Sequence, residues 1–268
     1  MKSEFKQLFE EYKQLEIGQS KEEFDQIKIE FVYHSTKLEG SDLTLIQTKD
    51  VIENHHIKGE ASLIDSLMAV DHYRALNLAL SFGSNKYPLT EKILLNLHET
   101  LLKNTFEIDP FYQSWKNEGQ QLGQLKIKSN RIKYTLNNNE SYYETPSPEI
   151  SRNILRSALN NYDPKSGFID SLSKLVQNIY NAHPFFDGNK RMTRLIVANQ
   201  SIANGLPLIP IPFNKGKYNK ALITGFIEQT HLPLKKEIEI IFNQFLAESI
   251  EKLKNNSKKP NKGFGLIL

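Results

Sequence analysis

The chain of 268 residues has no cysteine, a single tryptophan and no apolar run near the roughly 20 residues that span a bilayer. Without cysteine it can have no disulfide framework, no thiolate nucleophile and no cysteine zinc site, which suits a reducing cytoplasm. A net charge of +3 gives no argument for nucleic acid as a partner. The N-terminal residues 1–16 are charged and lack the apolar segment of a signal peptide. We therefore expect a cytoplasmic protein without membrane insertion.

The most informative segment is His183–Arg194, which reads HPFFDGNKRMTR. Apolar residues at helical spacing precede it, namely Phe168, Leu172, Leu175, Val176, Ile179 and Tyr180. Because Pro184 disfavours helical backbone in the residue before it, that helix is expected to end at Ala182–His183. A second helix is expected over Arg191–Asn204, with Gly205 as its left-handed stop. The segment is therefore predicted to be a loop between two helices.

This loop combines residue types that bind phosphate. The first turn of the following helix presents unpaired N–H groups at the positive end of the helix dipole, and Gly188 permits close approach of a ligand. Three cations follow, at Lys190, Arg191 and Arg194. Asp187 is a hard oxygen ligand of the kind that holds magnesium beside phosphates, and His183 is placed to take a proton from a hydroxyl. The residues alone predict a phosphate and magnesium site with a base at its edge.

The segment also resembles the Fic signature, H-x-F-x-[D/E]-G-N-G-R-x-x-R. Seven of the eight fixed positions agree, namely His183, Phe185, Asp187, Gly188, Asn189, Arg191 and Arg194. The exception is Lys190, where most Fic enzymes have glycine. The Doc branch of the same superfamily has lysine there and transfers phosphate rather than a nucleotide. A helix corner with a solvated basic face is the alternative without function, but it does not explain the combination of histidine, aspartate and Gly-Asn.

The resemblance implies a protein adenylyltransferase, which transfers AMP from ATP to a hydroxyl side chain of a target protein. By that resemblance His183 is the general base, Asp187 holds Mg²⁺, and the amides at Gly188 and Asn189 cradle the phosphates. The cations that would bind the nucleotide are Lys190, Arg191 and Arg194. Phe185 is expected to anchor the loop in the core.

A second family feature lies N-terminal to the signature. Ser35–Gly40, which reads STKLEG, resembles the inhibitory motif [S/T]-x-x-x-E-[G/N] of one Fic class, with Ser35, Glu39 and Gly40 at its fixed positions. In that class the glutamate pairs with the second arginine of the signature, here Arg194. A carboxylate on that guanidinium would remove a phosphate ligand and repel the γ-phosphate. The resemblance therefore implies restraint by Glu39, whereas the segment alone reads as an ordinary helix end with an exposed glutamate.

Between Gly119 and Tyr143 the helical pattern gives way to alternation, at Leu125, Ile127, Ile132 and Tyr134. This pattern predicts a short β-hairpin that turns at Lys128–Arg131. In Fic proteins a hairpin flap precedes the signature and holds the target peptide by strand addition. Gly123–Lys126 resembles the family's G-x-[F/Y]-R, which implies a flap centre at Asn130, Arg131, Ile132 and Lys133 and puts Ile132 against nucleotide or target. A surface hairpin without a partner is the alternative.

Three further groups of residues lie outside these motifs. The resemblance implies that Tyr218 lines the adenine pocket. Trp115, with Phe111 and Tyr112, is interpreted as a packed surface cluster. Histidines outside the signature, His98 among them, have no second metal ligand at zinc spacing and no assigned role.

The expected fold is all-α, a helical bundle of the Fic type with one small β-hairpin. We predict N-terminal helices with the inhibitory motif over residues 1–59, a Fic domain over 60–235, and a C-terminal helix with a flexible basic tail over 236–268. Helical patterns include residues 61–82, apolar around most of the girth, and 235–254.

The expected function is AMP transfer, with ATP and an unidentified target protein docked along the flap as partners; a homodimer is allowed. Three alternatives stay open. They are phosphate transfer of the Doc kind, suggested by Lys190, a nucleotide-sensing module without catalysis, and removal of AMP at the same site.

Overall fold

The computed structural model describes residues 3–15, 20–56, 59–136, 139–212 and 216–257. The helices are α1 (Glu4–Gln14), α2 (Lys21–Lys37), α3 (Leu45–Asn54), α4 (Leu63–Ser84), α5 (Glu91–Leu102), α6 (Thr105–Ile108), α7 (Pro110–Asn117), α8 (Pro148–Asn160), α9 (Phe168–Ala182), α10 (Asn189–Ala203), α11 (Lys217–Ile227) and α12 (Leu232–Ser257). Strands β1 (Arg131–Leu136) and β2 (Asn139–Glu144) pair antiparallel, and a 3-10 turn covers Pro164–Ser166. The expected helical architecture with one small hairpin is confirmed.

Local sequence signals set several helix starts. The Ser20 hydroxyl accepts the Glu23 N–H and the Glu23 carboxylate accepts the Ser20 N–H, a reciprocal capping box that begins α2. Thr44 and Gln47 make the same exchange at the start of α3. These contacts satisfy N–H groups that have no acceptor within the helix. Capping therefore positions α2, whose C-terminal end leads directly into Glu39.

Helix α10 is the centre of the bundle. Residues 191–201 are buried without exception, and the helix packs against α2, α4, α5 and α9. A helix buried on every side is a core element. Residues Arg191 and Arg194 of the signature therefore lie inside the protein rather than on a solvated face.

The face that α4 turns towards α10 differs from the sequence prediction. Its buried positions are largely small residues, and a Cβ at Gly83 would lie 2.5 Å from the carbonyl oxygen of Asn199. Leu63, expected in the core, is 55% exposed. The two helices pack too closely for large side chains between them, so small residues form the contact and some large apolar residues lie elsewhere on α4.

One hydrophobic core connects the N-terminal helices, the middle of the chain and α12. It includes Phe5 of α1, Phe31 of α2 and Leu246 of α12. The predicted boundary at 235/236 falls inside α12, which begins at Leu232 because Pro233 is tolerated in the first turn of a helix. The division into three segments stays a prediction. The predicted tail beyond residue 257 lies outside the described residues.

The hairpin lies later in the chain than predicted. Its register runs from the pair Arg131–Glu144 to the pair Leu136–Asn139, so the expected turn at Lys128–Arg131 precedes the hairpin except for its last residue. The Lys126 N–H donates to the Pro184 carbonyl, which pins the segment around Leu125 to the signature loop instead of to a second strand. Within the described ranges, no helix is long and apolar enough to cross a bilayer.

Candidate active site

Residues 183–189 form the loop between α9 and α10. His183 ends α9 in a left-handed conformation (φ 46°), and its N–H donates to the carbonyls of Ile179 and Tyr180. Gly188 (φ 75°) begins α10, whose helical residues start at Asn189, two residues before the predicted start. The end of α9 at Ala182–His183 matches the prediction from Pro184. This turn brings the imidazole and the first turn of α10 to the same side of the loop.

Asn189 and Asn130 hold the backbone of the loop with their side chains. Asn189 accepts from the Phe185 N–H at 3.1 Å and donates to the Phe185 carbonyl at 2.8 Å. Asn130 donates to the Phe186 carbonyl at 2.8 Å. The prediction that Asn130 binds nucleotide is not matched, because its amide is used within the protein and it lies before the hairpin. Phe185 is fully buried, as expected of an anchor.

A second contact ties the base of the hairpin to the same loop. Lys126 is buried and donates through Nζ to the Thr145 hydroxyl at 2.6 Å, and that hydroxyl donates to Asn130 Oδ1 at 2.6 Å. Burial lowers the pKa of the Lys126 ammonium to about 8. The residue that replaces the family arginine is therefore a buried cation without a carboxylate among its hydrogen-bond partners.

The loop, the hairpin and the end of α2 enclose one cavity of about 190 Å³. It is lined by Glu39, Arg131, Ile132, Lys133, His183, Asp187, Gly188, Asn189 and Lys190. All of these are residues that the sequence predicted for the site. The cavity is smaller than the roughly 300–1,000 Å³ typical of pockets that enclose a ligand.

His183 lies at the inner wall of the cavity. Its side chain is buried, with 9% of its surface exposed, and Nδ1 has no hydrogen-bond partner. Burial lowers its pKa to about 3, and the positive charge of Lys126 acts in the same direction. The imidazole is therefore neutral at physiological pH, the form that accepts a proton.

Asp187, whose side chain is 40% exposed, and the buried Arg191 form an ion pair with a third partner. Asp187 Oδ2 accepts from Arg191 Nη2 at 2.8 Å and from the Tyr112 hydroxyl at 2.5 Å. Burial would raise the pKa of the carboxyl, but the Arg191 charge and the Tyr112 hydrogen bond outweigh it and hold the pKa below its usual value. Arg191 is 4% exposed and is not among the residues that line the cavity, so its contact with phosphate stays a prediction.

Two residues that sequence reasoning missed lie beside this pair. Tyr112 was interpreted as part of a surface cluster, but it is buried and hydrogen-bonded to both members of the pair. His98 Nε2 lies 3.1 Å from the Asp187 carbonyl oxygen, and its ring stacks on Phe185 at a centroid distance of 4.0 Å. Its sequence signal was a histidine on the apolar face of α5, where a polar ring needs a partner.

The predicted pair between the inhibitory motif and the signature is present. Arg194 is fully buried, and its Nη2 lies 2.6 Å from Glu39 Oε1. Its remaining contacts are with Ser35, whose hydroxyl accepts from Nε at 2.6 Å, and with Asn219, whose Oδ1 accepts from Nη1 at 3.2 Å. Asn219 was not predicted. The second oxygen of Glu39 lies 4.0 Å from Lys190 Nζ, so Lys190 also faces the glutamate.

The electrostatics of Glu39 follow from these neighbours. Burial would raise the pKa of its carboxyl, but the charges of Arg194, Lys190 and Arg191 outweigh burial and lower the pKa. Glu39 is therefore ionised at neutral pH. Gly40 follows it with φ 96°, a left-handed value that suits glycine.

Tyr218 is not placed where the resemblance implied. It is fully buried, donates its hydroxyl to Thr193 at 3.2 Å, and is not among the residues that line the cavity. The expected adenine contact is therefore not available in this arrangement. The reason is the packing of α11 against α9 and α12, which buries Tyr218 in the first turn of α11.

Asp187 is the candidate metal ligand. The described residues contain no cluster of three or more histidine, cysteine, aspartate or glutamate side chains that could hold an ion without help. Mg²⁺ commonly binds through one or two carboxylates together with phosphate oxygens and water. A single carboxylate at the cavity wall beside the amides of α10 fits that mode.

Acid is expected to destabilise the fold. The buried imidazoles of His72, His98 and His183 have pKa values below the ordinary 6.5, His98 at about 4 and His183 at about 3, because burial disfavours the charged form. Since the unfolded chain binds these protons more readily, stability is lost as pH falls from about 6.5 towards 4. Urea unfolding should show a loss of about 1.5–2 kcal/mol for each imidazole between pH 7 and pH 5.

Two variants sharpen this measurement. His98→Gln should reduce the pH dependence by about a third. The control is His56→Gln at an exposed position, which should leave the pH dependence unchanged. The carboxyls of Glu39 and Asp187 have lowered pKa values, so their contribution to the stability of the fold is lost only at lower pH. Equal unfolding free energies at pH 7 and pH 5 would contradict the assignment of neutral buried imidazoles.

Comparison with known proteins agrees with this geometry. Residues 88–200 match the model of the Fic/DOC family. The protein adenylyltransferase Fic of Drosophila grimshawi is 26% identical over 193 residues, which cover 68% of this chain and 34% of that protein. The Drosophila virilis protein of the same name is 27% identical with the same coverage. The chain thus spans about a third of the length of these curated relatives.

Solved structures show the same fold over nearly the whole chain. A Fic domain containing signaling protein from Bacteroides thetaiotaomicron has a TM-score of 0.79 and 25% identity, over 94% of this chain and 97% of that one. Fic-1 from C. elegans has a TM-score of 0.71 and 19% identity, over 92% of this chain and 70% of that one, and shows the fold alone. Over residues 88–200, which carry the signature loop, this chain is similar to the Fic/DOC family, and its fold is that of Fic domain proteins.

Proposed function

We propose that the chain is a protein adenylyltransferase that transfers AMP from ATP to a hydroxyl side chain of a target protein, and that Glu39 restrains it. The observation that carries the proposal is the cavity in which His183, Asp187 and the start of α10 face one another beside β1. The names of the Drosophila relatives support the same reaction class.

The chemistry assigned to His183 is proton acceptance. As the hydroxyl oxygen of the target bonds to the α-phosphorus of ATP, the neutral imidazole takes the hydroxyl proton. The bond from the α-phosphorus to the bridging oxygen breaks, and pyrophosphate leaves with the electron pair. Burial keeps His183 unprotonated before the reaction but also lowers its proton affinity, which the negative charge of bound phosphates would raise again.

Charge stabilisation comes from the start of α10. Its first N–H groups have no acceptor within the helix and carry the positive end of the dipole, so they suit the negative charge of a phosphoryl transition state. Lys190 adds a cation at the cavity wall. Asp187 would hold Mg²⁺, which when bound neutralises phosphate charge.

The proposed restraint rests on Arg194, whose hydrogen-bond donors are occupied by Glu39 and by residues beside it. Arg194 directs Nη2 to Glu39, Nε to Ser35 and Nη1 to Asn219. A γ-phosphate that used this guanidinium would have to displace Glu39, whose negative charge also repels it. Glu39 is a wall of the small cavity, so its departure would enlarge the space for a nucleotide.

The hairpin supplies the proposed docking edge for the target. In the described part of the chain β1 pairs with β2 alone, which leaves its other edge open for an added strand. Arg131, Ile132 and Lys133 of β1 line the cavity. A target strand on this edge would bring a hydroxyl side chain towards His183.

Position-specific labelling of ATP tests the reaction. The Glu39→Gly variant is incubated with Mg²⁺ and ATP labelled at either the α- or the γ-phosphate, and the protein itself is the acceptor. We expect covalent label from the α-position and none from the γ-position, because AMP transfer retains only the α-phosphate. The reverse pattern would instead show phosphate transfer, which Lys190 suggests. Failure of both labels, with ATP still bound, would indicate a nucleotide sensor.

A further inference from the structure

Tyr112 is held in place by a cluster of aromatic rings. It belongs to α7 and lies 75 positions from Asp187 in the sequence. Its ring contacts Phe106, Phe111 and Phe186, with the Phe186 contact edge-to-face at a centroid distance of 5.6 Å. Such packing fixes the position of the ring and therefore of its hydroxyl. Because Phe186 directly precedes Asp187, ring packing and hydroxyl contact act on the same part of the loop.

The hydroxyl joins both members of the ion pair. It donates to Asp187 Oδ2 at 2.5 Å and accepts from Arg191 Nη2 at 3.1 Å. Arg191 Nη2 also donates to Oδ2, so the two side-chain donors use the same carboxylate oxygen, while the Gly188 N–H is a backbone partner of the carboxylate. The described residues offer no hydrogen-bond partner to the buried Nε and Nη1 of Arg191. Among the described residues, the guanidinium therefore makes its hydrogen bonds through Nη2.

This arrangement matters because arginine and aspartate commonly pair through two parallel hydrogen bonds, which occupy both carboxylate oxygens. Arg191 has the unpartnered donors needed for that second bond. The Tyr112 hydroxyl engages Nη2 and Oδ2 together, which favours the single-oxygen arrangement. A carboxylate with both oxygens taken by arginine would be a poor ligand for a cation.

We propose that Tyr112 is a positioning residue. Its hydroxyl directs the contacts of Tyr112 and Arg191 to Oδ2 of Asp187, and so leaves Oδ1 as a ligand for a divalent cation. The inference rests on the proposed function, since it assigns the cation to Asp187. Partners that orient a ligand in this way commonly contribute 10–100-fold to metal affinity. Tyr112 thus acts through Asp187 and does not contact the nucleotide.

Tyr112→Phe tests this because it removes the hydroxyl and keeps the ring in its aromatic cluster. The background is the double variant Glu39→Gly, His183→Ala, which admits ATP and prevents turnover. Equilibrium dialysis measures the affinity for labelled ATP in EDTA and over a series of Mg²⁺ concentrations. We expect Tyr112→Phe to leave the affinity in EDTA unchanged and to require about 10–100-fold more Mg²⁺ for the same enhancement.

The control is Tyr12→Phe, which removes the hydroxyl of another buried tyrosine on α1 and should change neither quantity. A purely structural role for Tyr112 would weaken ATP binding in EDTA as well. If Tyr112→Phe needs the same Mg²⁺ concentration as its background, or if Mg²⁺ does not enhance ATP binding at all, the inference is overturned. The α-label experiment on the Glu39→Gly variant decides the proposed function separately.

Discussion

Replacing Glu39 with glycine is expected to raise the rate of AMP transfer by roughly 30- to 700-fold. The reason is the buried pair between Glu39 Oε1 and Arg194 Nη2 at 2.6 Å, which ATP must displace. Breaking a buried charge pair of this kind costs about 2–4 kcal/mol, and each 1.4 kcal/mol is a factor of ten. The measurement is the initial rate of α-label incorporation in the variant and in the parent protein at equal ATP.

Stability provides a second measurement on the same variant. Without Glu39 the buried Arg194 charge has no carboxylate beside it, so Glu39→Gly should unfold at a lower temperature than the parent protein. Saturating ATP should then stabilise the variant more than the parent. Asp42→Asn is the control, since this exposed carboxylate lies three residues further on and does not line the cavity. Equal transfer rates for parent and Glu39→Gly would refute the restraint.

The second large effect is expected at His183. In the Glu39→Gly background, His183→Ala should lower the rate of AMP transfer by about 100- to 10,000-fold, the usual contribution of a positioned general base. The structure supports this role through the position of the imidazole at the cavity wall beside Asp187 and Gly188. The rate is measured with α-labelled ATP under conditions of excess target or automodification.

The binding of ATP distinguishes a catalytic loss from a damaged site. His183→Ala should bind ATP in EDTA about as tightly as its background, because the imidazole is not a phosphate ligand in this proposal. His56→Ala changes an exposed histidine and should transfer AMP at the rate of the background. A His183→Ala variant that keeps more than a tenth of the activity would remove the proton-acceptor role from His183.

Short-range patterns were enough to place several of the predicted site residues in one loop. His183, Asp187 and Gly188 lie within one loop, and Pro184 together with helical spacing was enough to place that loop between two helices. The pair between Glu39 and Arg194 joins positions 155 apart, and no local pattern could connect them. That prediction came from the resemblance of two separate motifs to those of one family.

Local sequence patterns could not predict residues that reach the site only when distant helices pack together. Tyr112 reaches Asp187 from another helix, and its aromatic neighbours made it look like surface packing. Asn219 meets Arg194 only because α11 packs beside the C-terminal end of α2. The hairpin register was wrong because alternation around Leu125 competes with alternation around Tyr142, and the contact of Lys126 with the signature loop decides between them.

The place of α2 in the core limits how the restraint can be lifted. Ile29, Phe31 and Val32 of this helix are buried, and α2 packs on α4 beneath the residues that lead to Glu39. Deleting the first 40 residues would therefore expose core side chains and unfold the protein before it produced an unrestrained enzyme. Under the proposed restraint, an activator would have to act on the last turn, around Leu38–Gly40, while the helix stays docked. The helix that leads to Glu39 is thus also part of the hydrophobic core, so we expect that its removal would cost the fold itself.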